Sequence, residues 1–145
     1  MKCNQAGIDL IRSFEGCRLE SYLDQNNIPT IGFGHTGSDV YIGLIWTQDQ
    51  ADSQLSQDIA QRAEAPVNAY LTRTLSDNQF SAFCSLCFNI GSGRFKGSSA
   101  LHLANIGNLT DVPAHILLWD EAGGGVDAGL VRRRNAECTL WNTED

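Results

Sequence analysis

Phe80, Phe83, Cys84, Cys87 and Phe88 fall at i, i+3, i+4, i+7 and i+8, and Ala82 and Leu86 fill the flanks between them. Residues at these intervals share one side of an α-helix. With the flanks apolar as well, such a helix has to be surrounded, so the spacing predicts a rod over 76–90 at the centre of a helical body. Ser76 with Gln79 three positions on supplies a capping box at its start. Within this rod the C-x-x-C of Cys84 and Cys87 reads as packing. No second pair exists, and His35, His102 and His115 lie far apart in the chain, so no metal is expected. Asn89, polar at the end of the rod, is expected to face a cleft.

The other helices follow the same logic. Ile8 and Ile11, with Leu10 and Phe14, predict a short amphipathic helix over about Gly7 to Glu15, closed by Gly16 as a C-cap. Thr47 and Gln50 form a second capping-box signature ahead of Ala51, Leu55, Ile59 and Ala63, which predicts a helix over 48–64. Pro66 is expected to interrupt it, with helix resuming at Val67, Tyr70 and Leu71. Ser98 or Ser99 opens a helix through Ile106, and Asp111 with Pro113 opens another carrying Ile116, Leu117 and Trp119. Gly123-Gly124-Gly125 is a break, and a last helix over 130–141 carries Arg132-Arg133-Arg134.

Between Gly16 and about Ile45 the pattern changes to short alternating runs and turn residues, which predicts a small antiparallel sheet of two or three strands. Asp24 to Asn27 is the turn candidate. Strict alternation through Thr30-Ile31-Gly32-Phe33-Gly34-His35 puts Thr30, Gly32 and Gly34 on one face as bare backbone beside a hydroxyl, suited to close approach of a ligand. Ile31, Phe33 and His35 take the other face. No linker or repeat divides the 145 residues. The expectation is one domain of the α+β class, mainly α, with a β-containing lobe over about 16–60 and a helical lobe over about 1–15 and 66–145.

Charge and cysteine usage then exclude whole classes of function. A formal net charge of -7 speaks against nucleic acid and gives no long-range attraction to anionic surfaces. Five cysteines without a secretion signal argue for free thiols, with Cys3 and Cys17 as unremarkable packing or surface residues. No window is apolar enough to span a membrane.

The chemistry-bearing stretch is Glu15 to Gly37. Were the first helix to continue, nine residues at about 100° each would turn Asp24 to the face opposite Glu15 and carry it about 13 Å along the axis. The break at Gly16 lets the carboxyl groups converge. Glycoside cleavage needs one protonated carboxyl to donate to the leaving oxygen and one ionised carboxylate to activate water. Glu15, beside Phe14 at a helix end, is expected to be partly buried and to act as acid. Asp24, in a polar turn, is expected to act as base.

The run Phe14-Glu15-Gly16-Cys17-Arg18-Leu19-Glu20-Ser21-Tyr22-Leu23-Asp24, followed by Pro29-Thr30-Ile31-Gly32-Phe33-Gly34-His35-Thr36-Gly37, resembles the phage-type lysozymes of glycoside hydrolase family 24. That family's E-x8-D-x5-T pattern falls on Glu15, Asp24 and Thr30, and the likeness extends through Leu75–Phe80, Phe88–Gly91 and Gly129–Glu137. The resemblance implies a lysozyme-like fold with a cleft between the lobes and a muramidase that hydrolyses the β-1,4 bond between N-acetylmuramic acid and N-acetylglucosamine. It implies Glu15 as acid, Asp24 across the cleft, Thr30 placing the attacking water and inversion at the anomeric carbon, with no cofactor.

By the same resemblance, His35 pairs with a carboxylate rather than doing chemistry. Arg133 is the cationic partner of Glu15, in a register uncertain by one among three arginines, the other two being solvated. From the bare-backbone face and the polar end of the rod, Gly32, Gly34 and Asn89 are expected to line the substrate path. No wall-binding domain or N-terminal anchor is evident in the sequence. The implied setting is an endolysin, monomeric and without stable membrane association, held in the host cytoplasm until a separate holin lets it reach bacterial peptidoglycan. A lytic transglycosylase acting on the same bond, or a non-catalytic wall-binding or virion module, are the competing readings.

Overall fold

The computed structural model describes residues 1–145, and helix α4 (Asp77–Ile90) is its axis. Phe80, Ala82, Phe83, Cys84, Leu86 and Cys87 are all fully enclosed, and the capping box of Ser76 and Gln79 is formed in both directions. Burying each phenylalanine side chain contributes about 1.5–3 kcal/mol. That is why this helix, apolar on most sides, sits at the centre. Against it pack α1 (Gln5–Glu15), α5 (Ser92–Lys96) and α8 (Ala128–Trp141), while α6 (Ser99–Ile106) packs on α7 (Val112–Ile116) and α7 on α8. Phe83 meets the edge of Phe95 at 5.2 Å between ring centroids and Trp141 at 4.8 Å.

The sheet is antiparallel, in the order β1 (Arg18–Leu23), β2 (Pro29–Gly32) and β3 (His35–Thr36). Gly16 ends α1 with φ +65° and returns its N–H to the Arg12 carbonyl, so the chain leaves the helix directly into β1. β1 carries a bulge between Arg18 and Tyr22. The run from Thr30 to His35 is not the single strand that strict alternation predicts. Ile31 pairs with His35 and Thr30 with Thr36, so Gly32-Phe33-Gly34 is a hairpin turn, with Gly32 at φ +65° and Gly34 at φ +76°. Consecutive residues Thr30 to Phe33 are buried, because this hairpin is wedged under α2 (Gln48–Ile59) and is covered on both sides.

Pro66 does not break the helix that follows. The chain runs from α2 through a π-helical turn, Ala60–Glu64, into α3 (Ala65–Tyr70). Proline has no N–H to give the carbonyl four residues back, and the wider turn absorbs the mismatch. The Arg62 carbonyl takes the Cys87 thiol as a donor at 3.5 Å instead. Likewise, Gly123-Gly124-Gly125 is more than a break. Gly123 and Gly124, both with positive φ, turn a two-residue hairpin between β4 (Glu121–Ala122) and β5 (Gly125–Val126).

One core runs through all of this, from Phe33 and Ala51 beside the sheet to Val112 and Trp141 at the far end. It is mostly helical with a small antiparallel sheet, an α+β fold. α1 is further tied to α2 by Arg12, whose guanidinium is 2.9 Å from Asp52 and lies over the Phe33 ring.

Candidate active site

Glu15 is the last residue of α1, and its side chain is 22% exposed. Gly16 stops the helix at the point where this carboxyl projects into a cavity of about 480 Å³ shared with Phe14, Asn89, Asp127, Gly129 and Arg132. Arg133, on α8, donates from Nη1 to Glu15 Oε1 at 2.6 Å. On the other side, a Cβ added to Gly34 would stand 3.4 Å from Glu15 Oε2. Gly34 therefore brings bare backbone beside the carboxyl, at a backbone conformation that side chains disfavour. The structure thus places Glu15, Asn89 and Arg133 around one opening, with Gly34 beside the Glu15 carboxyl.

Asp24 and Thr30 are organised through a single residue, Ile28. Asp24 Oδ1 accepts the Asn26 and Ile28 N–H groups at 2.8 and 2.9 Å, and the Asp24 N–H donates to the Ile28 carbonyl. Thr30, 4% exposed, donates its hydroxyl to the same carbonyl at 2.8 Å. With its proton committed there, Thr30 Oγ1 presents lone pairs only. Asp24 Oδ1 is saturated by amides, which leaves Oδ2 free. Neither residue lines the cavity at Glu15. They stand at the other end of β2, with Thr30 opposite Tyr22 in the ladder and Pro29 opposite Leu23.

His35 sits between two carboxylates, Nδ1 to Asp58 at 2.9 Å and Nε2 to Asp39 at 3.0 Å, and its ring lies 5.6 Å from Trp46. Asp58 also accepts from Gln54 at 2.9 Å. Both ring nitrogens are thereby occupied, and His35 is a clasp from β3 to α2. The expectation of Gly32 as part of an open face needs correction. It is buried, and a Cβ there would meet the Trp46 ring at 3.0 Å. Its missing side chain makes room for the indole, and of the two glycines only Gly34 stands beside Glu15.

The arginine run needs a second correction. Only Arg132 is exposed, whereas Arg133 and Arg134 are both buried. One step of about 100° carries Arg134 off the Glu15 side but into the protein. There Nη2 donates to Glu137 Oε1 at 2.8 Å, Nη1 donates to the Trp119 carbonyl at 3.2 Å, and Nε lies 2.8 Å from Glu137 Oε2, its N–H off the line to that oxygen. Burial pushes the Glu137 carboxyl up from its ordinary value and the Arg134 guanidinium down, and their attraction opposes both shifts. Ser85, on α4, donates to Glu137 Oε1 at 2.7 Å and accepts from Arg133 Nε at 3.4 Å.

Ser85, Glu137 and Arg134 escape a reading by residue type. A serine in an apolar helix and a glutamate in a charged one look ordinary. The available signal is the pair of polar residues, Ser81 and Ser85, one turn apart inside a helix otherwise built to be enclosed. A buried hydroxyl at such a position needs a partner.

A family model described as phage lysozyme matches residues 12–137. The chain is 39% identical over 145 residues to an endolysin of Bacillus phage PZA, covering 99% of this chain and 56% of that protein. It is 38% identical over 138 residues to the endolysin of Salmonella phage P22, covering 92% and 94%. The chain therefore spans a little over half the length of the Bacillus phage relatives and nearly all of the P22 one. Among solved structures, a P22 lysozyme variant superposes with a TM-score of 0.90 at 37% identity, and the muramidase domain of SpmX from Asticaccaulis excentricus with 0.90 at 36%, each over 99% of both chains. From the matched span and the shared fold, the chain belongs to the phage lysozyme family.

Proposed function

We propose that this protein is an endolysin of the muramidase type, hydrolysing the β-1,4 bond between N-acetylmuramic acid and N-acetylglucosamine of bacterial peptidoglycan by an inverting route. The observation that carries this reading is Glu15, half-buried at the mouth of a sugar-sized cavity with an arginine at 2.6 Å. As general acid, Glu15 gives its proton to the leaving oxygen. The carboxylate that forms meets Arg133 already in place, so the new charge is stabilised without reorganisation.

The second half of the reaction falls to the hairpin. In this reading a water donates one proton toward Asp24 Oδ2 and the other toward Thr30 Oγ1, which can only accept because its own proton is held by Ile28. Both hydrogens engaged, the water has a lone pair left for the anomeric carbon, and Asp24 takes its proton as base. Gly34 leaves space beside Glu15 for the sugar, and Asn89 offers an amide to it. His35 and Arg133 support the machinery, the first by holding β3 to α2 and the second by holding Glu15.

The two lobes act as one domain in this account, since a single core joins them. No helix is long and apolar enough to cross a membrane. The endolysin names of the relatives support bacterial peptidoglycan as the substrate, and we further infer a monomer held in the host cytoplasm until a separate holin releases it. Digestion of purified peptidoglycan followed by mass spectrometry tests the function. Soluble muropeptides with reducing ends are expected. Products lighter by one water would indicate a transglycosylase, and binding without release would indicate a wall-binding module.

A further inference from the structure

Arg133 has to present one edge of its guanidinium to Glu15 and not to Glu137, whose Oε1 lies 3.5 Å from Arg133 Nε. Both acids are within reach, and a flexible side chain between two carboxylates needs something to choose for it. Arg133 is 3% exposed, so water does not make that choice.

Ser85 does. Its carbonyl accepts from Arg133 Nη2 at 3.3 Å and its hydroxyl oxygen accepts from Nε at 3.4 Å, which leaves Nη1 directed at Glu15. The serine's own hydrogen goes to Glu137 Oε1 at 2.7 Å. That bond fixes the hydroxyl rotor with its lone pairs toward Arg133, and it leaves Arg133 Nε at 3.5 Å from Glu137 Oε1, a long contact. Arg134 supplies the counter-charge that Glu137 needs. We propose that Ser85 is a positioning residue, setting the orientation in which Arg133 meets Glu15 and so the placement of that acid in the cavity.

The proposal rests on the muramidase reading, and its test separates the two. In Ser85→Ala, Arg133 loses one of its two holds on α4 and is free to shorten its 3.5 Å contact with Glu137. A crystal structure of the variant is expected to show Nη1 withdrawn from Glu15 Oε1 and Nε closed on Glu137. This readout is independent of activity. On peptidoglycan, kcat is expected to fall roughly 10- to 100-fold with KM little changed, as for a misplaced catalytic group. In an Arg133→Lys background, which keeps the charge but removes the two-nitrogen grip, Ser85→Ala is expected to cost nothing further. Ser85→Thr, which keeps the hydroxyl, is expected to restore most of the rate.

An unmoved Arg133 in the Ser85→Ala crystal, or an equal loss of kcat in both backgrounds, would overturn the proposal. So would a variant with lower thermal stability but wild-type kcat. A wild-type protein that releases nothing from peptidoglycan would overturn the functional reading and the catalytic half of this one, while the crystal readout still decides the positioning half.

Discussion

Arg133 Nη1 stands 2.6 Å from Glu15 Oε1 although 118 residues separate them in the chain. The contact joins the end of α1 to α8 beside Ser85 of α4. An interaction between residues this far apart exists only if three helices pack in one register, so the site is a product of the core. The same helix that buries Phe80 and Phe83 also carries Ser85, which grips Arg133.

Glu15→Gln is expected to lower the rate of soluble muropeptide release by roughly 10² to 10⁴-fold, the usual worth of a general acid. The amide still accepts from Arg133, so thermal unfolding should move little. Retention of full activity in this variant would remove Glu15 from the mechanism.

Thr30→Val should separate the hydroxyl from the packing. The valine fills the same buried space, and the Ile28 carbonyl keeps the Asp24 N–H as a partner. Stability is expected to change by about 1 kcal/mol or less, the net worth of one hydrogen bond. Activity should fall about 10²-fold through loss of water placement, and Thr30→Ser should retain most of it. Parallel urea titrations and muropeptide assays check both.

Arg134→Met breaks a buried pair and leaves Glu137 short of a counter-charge. A loss of about 3–5 kcal/mol is expected by urea unfolding. The double change Arg134→Met with Glu137→Leu should recover much of that loss, because two apolar side chains replace two desolvated charges. A double variant as unstable as the single one would contradict this account of the pair.

Thiol chemistry provides an independent check of the core. Cys17 is exposed, whereas Cys3, Cys84 and Cys87 are enclosed. Burial pushes the Cys87 thiol up to about 12, and burial with the neighbouring Glu137 pushes Cys138 up to about 11. In the native protein an aromatic disulfide reagent is expected to titrate Cys17 rapidly, the partly buried Cys138 slowly, and Cys3, Cys84 and Cys87 only on unfolding.

Asp145 gives a prediction in pH. Its carboxylate accepts the Asn78 and Asp77 N–H groups at the start of α4, which holds it below its ordinary value of 3.8. A depressed carboxyl stabilises the folded state above the unfolded value, and that contribution fades as pH falls through the folded one. Asp145→Ala should therefore lower the melting temperature at neutral pH, and the gap to wild type should close at strongly acidic pH.

The helices were legible because each rests on neighbours in sequence. The capping boxes at Thr47 and Ser76, the glycine stop at Gly16 and the apolar repeat of α4 are local and appear where expected. Pro66 and the run Thr30 to His35 show the limit of local rules. Proline disturbs a helix through a ring clash and an orphaned carbonyl, and here a π-helical turn makes room for the ring while Cys87 donates to the carbonyl. Alternation marks faces only on a strand covered on one side, and this hairpin is covered on both.

What the chain determined by itself was the spacing of Glu15, Asp24 and Thr30, the helix stop between the first two, and a core rod for the rest to surround. Tertiary structure decided which arginine faces the acid, that Arg134 is buried with Glu137 rather than solvated, and that Gly34 but not Gly32 stands beside Glu15. The reason is physical: caps and periodicities act within a turn or two of chain, whereas the choice between two desolvated guanidinium groups depends on which carboxylates the packed helices bring within about 3 Å.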